Sequence, residues 1–364
     1  MGNNYLFTGF PGFIANQLIK KLIEKEGEVE NIYVLTLPAM KEKAEQTKAT
    51  IITNSRFPKE NFHIYVGDIT KQGLGLSAID EEKLQDTTYV FHLAAIYDLA
   101  VPRDIAYLVN VTGTKHVNDW VKSLPAIKRY VYFSTAYVAG LREGLLKEDE
   151  LIRPHAFKNF YEETKYEAEV LVEALKASLP VTIIRPGIVK GHSLTGETTK
   201  FDGPYLFLNV MDRLKRLPIF PKMGHKDAVV NLIPIDFLIE AVLYLSQEKI
   251  GEGKTYHLTD PNPYTVIEIY QMMLNEMLGK KPKGNMPLSI VKFFLSFASI
   301  RKWLRVEKEI IDYFTWLGKF DSSIAKADLA EANIRCPDLK EQIPSMVKFY
   351  LQHKVNNDYH IPIR

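Results

Sequence analysis

One cysteine, Cys336, stands in 364 residues, so no disulfide forms within the chain and no cysteine cluster holds a metal. The nine histidines show no ligand spacing either, and no metal site is expected. A lone thiol fits a reduced, cytoplasmic interior. Long apolar runs are also scarce. The most lipophilic stretch, Leu288 to Leu304, is interrupted by Lys292, Arg301 and Lys302 and falls short of the ~20 apolar residues that span a bilayer. The expectation there is a buried or pocket-lining helix, with Phe293, Phe294, Phe297 and Trp303 in the core, ahead of a helix lying on a membrane surface. Neither sign of charge is in excess, since 46 lysines and arginines face 44 acids. Without a long basic block, nucleic acid is not an expected partner. The first strand signal begins within a few residues of Met1, leaving no room for a signal peptide. Met1-Gly2-Asn3-Asn4-Tyr5-Leu6 also lacks the hydroxyl residue of a myristoylation signal.

What is present is ordinary globular material, 46% hydrophobic and 25% charged. The length suggests a large domain with a smaller lobe. Apolar, β-branched runs at Tyr5–Thr8, Ile32–Thr36, His63–Val66, Tyr89–His92, Arg129–Ser134 and Val181–Arg185 read as strands. Helical patterns at Ala15–Glu26, Lys41–Thr53, Ile105–Ser123 and Tyr161–Ala177 alternate with them. Such alternation predicts an α/β fold, a doubly wound parallel sheet covered on both faces, with ligands at the carboxyl ends of the strands. After Pro186 the regularity breaks. Gly187 to Gly203 reads as a long functional loop, followed by a helix at Tyr205–Leu217, an extended run Val229–Ile233, a helix from Asp236 and a strand Thr255–Leu258. The expected organisation is a dinucleotide-binding domain over 1–260, interleaved with a substrate lobe at about 187–228, and a mainly helical lobe over 261–364.

Two strings carry chemistry. Thr8-Gly9-Phe10-Pro11-Gly12-Phe13-Ile14-Ala15 is a glycine turn between a strand and a helix. Gly9 permits the tight turn, and Gly12 lets a diphosphate approach backbone N–H groups at the helix's positive end. Tyr161 and Lys165 in Tyr161-Glu162-Glu163-Thr164-Lys165 stand four apart, on one helical face. A cation beside the phenol favours the phenolate and predicts easier proton release from Tyr161. Cradle and pair together imply hydride transfer coupled to proton transfer. Each string alone is weak evidence, because glycine turns and this spacing arise often by chance.

The strings between them add context. His92-Leu93-Ala94-Ala95 closes a strand with small residues, Asn110-Val111-Thr112-Gly113-Thr114 lies in a helix, and Phe133-Ser134-Thr135-Ala136-Tyr137 closes another strand with hydroxyls. His92 reads as a satisfied core histidine, Asn110 as a brace between elements before a water relay, and His192 as a solvated loop residue or a substrate contact. The second strand ends at Thr36 without the acid that binds a ribose 2′-hydroxyl, and Lys41 and Lys43 follow. That suits a 2′-phosphate and predicts NADPH over NADH, although no arginine is present there.

With those strings in order, the chain resembles the extended short-chain dehydrogenase/reductase superfamily over roughly Asn4 to Asp260. The resemblance implies that Gly9, Pro11, Gly12, Phe13 and Ile14 hold the diphosphate and that Asp68, beside Ile69, reaches the adenine. It implies that Ala94 and Ala95 flank the nicotinamide ribose, and that Pro186, Gly187, Ile188 and Val189 position the carboxamide. Thr135 matches the family's substrate-binding hydroxyl, and Tyr161 and Lys165 its catalytic pair, which also binds the cofactor, Lys165 holding the nicotinamide ribose. The loop from Arg185 to Thr198 is similar, more narrowly, to that of the fatty acyl reductase and thioester reductase branch, the male sterility type. Phe320-Asp321-Ser322-Ser323 and Ile334-Arg335-Cys336-Pro337 loosely resemble that branch's tail. No carrier-protein or adenylating stretch is recognisable, as in a free-standing member.

The expected function is an NADPH-dependent reductase of a small-molecule carbonyl, an apolar acyl thioester or aldehyde. Two rivals stand beside it. A nucleotide-sugar epimerase or dehydratase would keep NAD and an arginine pair for the sugar diphosphate, and no clear pair is found. A non-catalytic NADP-binding sensor would have no need of Thr135, Tyr161 and Lys165.

Overall fold

The computed structural model describes residues 2–24 and 27–363. Eleven strands are found among them: β1 (Asn3–Thr8), β2 (Val29–Thr36), β3 (Phe62–Val66), β4 (Tyr89–His92), β5 (Arg129–Phe133), β6 (Gly144–Leu146), β7 (Val181–Pro186), β8 (Ile188–Lys190), β9 (Leu232–Pro234), β10 (Thr255–Leu258) and β11 (Gly318–Phe320). Seven form one sheet in the order β10-β7-β5-β4-β1-β2-β3, every pair parallel. The order reverses at β1, which pairs with β2 on one side and β4 on the other, so a crevice opens at the ends of β1 and β4.

Strand residues alternate between the two faces, as the pleat requires. Tyr5, Phe7, Ile32, Val34, Phe91 and Val131 pack on one side with Leu18 and Leu22 of the helix Phe13–Leu22 and with the helix Ile235–Gln247. Leu6, Tyr33, Leu35, Val90, Tyr130 and Tyr132 pack on the other, with Val117 and Val121 of the helix Gly113–Val121 and Ala168 and Val172 of the helix Phe160–Glu173. Both faces are therefore apolar, which is why these strands read as continuous apolar runs.

A separate core gathers Phe201, Tyr205, Leu208, Ile269, Met273, Ile343 and Met346. The helix Ser323–Ala330 returns to the main sheet, placing Ala325 and Leu329 in its core. Glu148 fastens that return. Fully buried, its carboxylate accepts from Ile324 N at 2.6 Å and His257 N at 2.9 Å, and burial pushes it up to about 7.

Several expectations need correction. The helix expected over Ala15–Glu26 ends at Leu22, and residues 25 and 26 lie outside those described. The helix expected over Ile105–Ser123 is Arg103–Ala106, a π-turn over Tyr107–Thr112, and Gly113–Val121. The widened turn aims the buried Asn110 inward, toward Ile96 and Thr164. The loop expected from Gly187 begins as β8, which pairs with β9 apart from the main sheet; of the segment Val229–Leu258, only β10 joins that sheet. The short pair β6–β11 was not anticipated, because its halves lie far apart in sequence.

The largest correction concerns Leu288–Leu304. It forms two helices, Leu288–Ser296 and Ala298–Leu304. Leu295 and Leu304 are buried, but Phe293, Phe294, Phe297 and Trp303 are about half exposed. They lie outside the core, and none of them lines a cavity of about 780 Å³ to which Arg301 of the same stretch contributes. No helix among the described residues is long and apolar enough to cross a membrane.

Candidate active site

The glycine turn lies where β1 ends, against the end of β4. Gly9 has φ +83°, and a Cβ there would stand 2.8 Å from Ala94 N. A Cβ on Gly12 would stand 2.6 Å from Gly9 O. No side chain caps the helix that begins at Phe13, so its first-turn amides remain available to an anion. Pro11 sits in the turn, its carbonyl taking Asn16 Nδ2 at 3.2 Å. At the end of β2 the buried Thr36 hydroxyl finds no partner among the described residues. Asp68 spends Oδ1 on Thr70, at 2.9 Å to N and 2.7 Å to Oγ1, and Ile69 packs beneath Gly113. The cradle, the uncapped helix and the orphaned hydroxyl fit a dinucleotide.

A chain of hydrogen bonds runs from this turn to the Tyr161 helix. Thr8 Oγ1 accepts from Leu93 N at 3.1 Å and Ala94 N at 3.0 Å, so its proton goes to His92 Nδ1 at 2.8 Å. That fixes the proton of His92 on Nε2, which donates to Thr114 Oγ1 at 3.1 Å, and Thr114 donates to Asn110 O at 2.6 Å. Burial drives the imidazole down to about 3, so it stays neutral. His92 is thus the satisfied core histidine expected. Asn110 Nδ2 bonds Ile96 O and Thr164 Oγ1, both at 3.0 Å, and its Oδ1 accepts from Ile96 N at 2.9 Å. Every polar atom of that side chain is occupied, the bracing role.

Thr135 and Tyr161 meet at the end of β5. Thr135 starts the turn after that strand, its hydroxyl accepting from Tyr137 N at 3.2 Å. The same side chain acts on the Tyr161 phenol and favours its ionised form. Asn159 caps the helix that carries Tyr161 and Lys165, accepting from Glu162 N at 2.9 Å. Pro186 ends β7 beside β5, and Gly187 N bonds Leu258 O at 3.0 Å. A Cβ on Gly187 would stand 2.8 Å from Asn231 Oδ1. Ile188 and Val189 continue into β8. His192 is partly exposed on the following loop, accepting from Leu194 N at 3.2 Å.

The electrostatics of the pair differ from expectation. Burial outweighs every other influence on Tyr161 and pushes its phenol up to about 12. Lys165 supplies no relief, for its amine is turned into the protein. Nζ donates to Phe133 O at 2.6 Å and Tyr132 OH at 2.8 Å, and stands 4.3 Å from the Tyr132 ring centroid. Burial drives the amine down to about 7 against the opposing pull of Glu169. Shared helix faces bring side chains close in sequence terms, but strand acceptors behind the helix captured this ammonium.

Residues supporting the helix start were missed by sequence reasoning. Lys158 Nζ donates to Gly140 O at 2.7 Å and pairs with the buried Glu162 at 3.4 Å. It also lies 4.2 Å from the Trp316 ring. Tyr313 donates to Glu162 Oε1 at 2.8 Å. The i,i+4 spacing of Lys158 and Glu162 was the available signal; Tyr313 and Trp316 gave none. The cavity of about 780 Å³ opens at this end of the helix, lined by Val101, Phe160 and Glu163 and by Arg301, Lys308 and Glu309. Neither Tyr161 nor Thr135 lines it.

A doubly wound parallel sheet with a glycine cradle at its crevice and a Thr/Tyr/Lys set after β5 defines a nicotinamide-dependent oxidoreductase of the extended short-chain class. Residues 7–242 match the family model described as male sterility protein, and the chain belongs to that family. It is 24% identical over 351 residues to an alcohol-forming fatty acyl-CoA reductase of Simmondsia chinensis, covering 73% of this chain and 69% of that one. It is 25% identical over 330 residues to a putative fatty acyl-CoA reductase of Drosophila melanogaster, covering 78% and 60%. The chain thus spans less than two thirds of that second relative. The terminal R domain from the myxalamid PKS-NRPS biosynthetic pathway superposes with a TM-score of 0.80 at 26% identity, over 97% of this chain and 91% of that one.

Proposed function

We propose that this protein is an NADPH-dependent reductase of an apolar acyl thioester or aldehyde, with Tyr161 as proton donor. The observation that carries the reading is the placing of Thr135 against the Tyr161 phenol at the end of β5, on the edge of the sheet where the glycine cradle opens. The likeness to fatty acyl-CoA reductases supports the substrate class. Gly9, Pro11, Gly12, Phe13 and Ile14 would hold the diphosphate, Asp68 and Ile69 the adenine, Ala94 and Ala95 the nicotinamide ribose, and Pro186 to Val189 the carboxamide. Thr36, with Lys41 and Lys43 exposed after it, would take the 2′-phosphate. The bound dinucleotide supplies the hydride.

The chain's own residues handle the oxygen and its proton. Thr135 orients the carbonyl oxygen by hydrogen bond, and Tyr161 releases its proton to that oxygen as negative charge develops. A phenol held at about 12 keeps its proton until the alkoxide forms, as a general acid should. Lys165, tied to Phe133 O and Tyr132 OH, would reach the nicotinamide ribose only by leaving those acceptors. The cavity beside this helix carries apolar Val101 and Phe160 and the cations Arg301 and Lys308 among acids such as Glu307, and it would take the handle of a thioester through those apolar and cationic groups. The single half-buried thiol fits work in the cytoplasm.

The test follows cofactor oxidation with NADPH and NADH against acyl thioesters, aldehydes, ketones and sugar nucleotides. Turnover of acyl substrates with NADPH preferred supports the reading. Turnover of sugar nucleotides with tightly retained NAD would make the protein an epimerase, and binding without turnover would make it a sensor.

A further inference from the structure

The helix Leu288–Ser296 is apolar on two faces. Leu288, Val291 and Leu295 face the cluster that holds Leu206, Leu304 and Ile311. Ile290, Phe293 and Phe294 follow at i, i+3 and i+4, and Phe297, in the bend after the helix, packs against Phe293 and extends the stripe. These four are 43%, 61%, 50% and 47% exposed. The three phenylalanines pack on one another outside the core, with ring centroids 5.7 and 5.4 Å apart. The next helix adds Trp303, 52% exposed. A stripe of this kind in water needs a partner.

Charge identifies which. Residues 280–308 contain eight cations (Lys280, Lys281, Lys283, Lys292, Arg301, Lys302, Arg305 and Lys308) and one acid, Glu307. The rest of the chain holds 38 cations against 43 acids. The whole positive excess of the protein is therefore concentrated around the aromatic stripe. Such a segment repels a second copy of itself and attracts a surface of negative charge. Phenylalanine and tryptophan beside lysine and arginine are what an interfacial helix presents to lipid. Part of the charge is structurally committed: Lys292 pairs with Asp312 at 3.1 Å, and Arg301 donates to the carbonyls of Leu295 and Ser296 at 2.8 and 2.9 Å. The second arrangement ties the two helices together and holds the stripe outward.

We propose that the helical hairpin 288–304 docks this protein onto the surface of an anionic bilayer, with Ile290, Phe293, Phe294, Phe297 and Trp303 in the headgroup–acyl boundary and the surrounding lysines over acidic headgroups. The hairpin lies on the membrane and does not cross it. Arg301 and Lys308 also line the 780 Å³ cavity beside the Tyr161 helix, so the docking face and the cavity mouth share a border. A substrate dissolved in lipid would meet the cavity without crossing water. The docking itself needs neither cofactor nor turnover, so it stands or falls apart from the reductase reading.

The test is co-sedimentation of the full chain with vesicles of phosphatidylcholine alone and of phosphatidylcholine with phosphatidylserine, without cofactor or substrate. Binding to the anionic vesicles about tenfold or more above the neutral ones, falling with salt, is expected. Phe293→Ser with Phe294→Ser should lower it about tenfold at an unchanged melting midpoint. Should that double variant melt early, Trp303→Ser carries the same expectation from the second helix. Lys281→Glu with Lys302→Glu should remove the preference for phosphatidylserine. Failure of the wild type to sediment with either vesicle overturns the proposal. So does sedimentation unaffected by the serine variants, or a wild-type dimer that ignores vesicles and dissociates on Phe293→Ser, which would give the stripe to a second copy.

Discussion

Lys165 donates to the carbonyl of Phe133 at 2.6 Å, so the cation that sequence spacing assigns to Tyr161 is tied to the strand behind it. With Tyr132 OH as second acceptor, the amine spends two of its three protons on β5. The phenol it would have acidified is instead raised by burial, with Thr135 as the neighbour that opposes the rise. In the proposed reaction, proton release from Tyr161 would depend on charge developing on the substrate oxygen, rather than on a ready-made phenolate.

Tyr161→Phe keeps the ring and deletes the hydroxyl. Loss of a general acid lowers rate by typically ~10²–10⁴. The expected result is a kcat lower by that range on an acyl substrate, with dinucleotide affinity and melting midpoint unchanged. A variant with near-normal kcat contradicts the assignment.

Lys165 gives a pH signature. Its folded value of about 7 lies below that of an unfolded lysine. Below pH 7 both states hold the proton and the folded protein carries the full cost of a buried charge. Above it the unfolded chain binds more protons, so this group's contribution to stability improves as pH rises toward ~10. Lys165→Met deletes that titration. Chemical denaturation of the cofactor-free proteins should show wild type gaining on the variant between pH 7 and about pH 10, and a constant difference below pH 7. A difference independent of pH across the whole range contradicts the burial argument.

The buried pair Lys158–Glu162 supports the helix start from which Tyr161 projects. Breaking a buried pair by deleting one partner costs ~3–5 kcal/mol, and Glu162→Ala also strips Tyr313 of its acceptor. A large fall in denaturation midpoint is expected, with Tyr313→Phe milder, ~1.5–3 kcal/mol for a hydrogen bond to a charged group. Equal effects of the two substitutions would contradict the hierarchy.

The main sheet was legible because its strands are buried on both faces, which leaves unbroken β-branched and aromatic runs such as Tyr89–His92. The strand Thr255–Leu258 and the helix Lys41–Thr53 fall where the pattern places them. The glycine turn was legible too, since Gly9 and Gly12 occupy positions where a Cβ meets backbone. Side-chain direction was not. Spacing puts Lys165 on the face of Tyr161 but says nothing of acceptors on β5. The stripe Ile290–Phe297 has the period of a core helix, and only the fold shows that the lobe buries its opposite side. Tyr313, more than 150 residues from Glu162, had no local signal.

The central claim is the reduction of an apolar acyl carbonyl, and its most direct measurement is kcat/KM with NADPH over a chain-length series of acyl thioesters, with the matching aldehydes run separately. Each methylene buried contributes about 0.8 kcal/mol, close to fourfold. The account predicts kcat/KM rising with chain length until the apolar contacts are filled, for thioester, aldehyde or both. A flat profile, or turnover confined to nucleotide sugars, would contradict it.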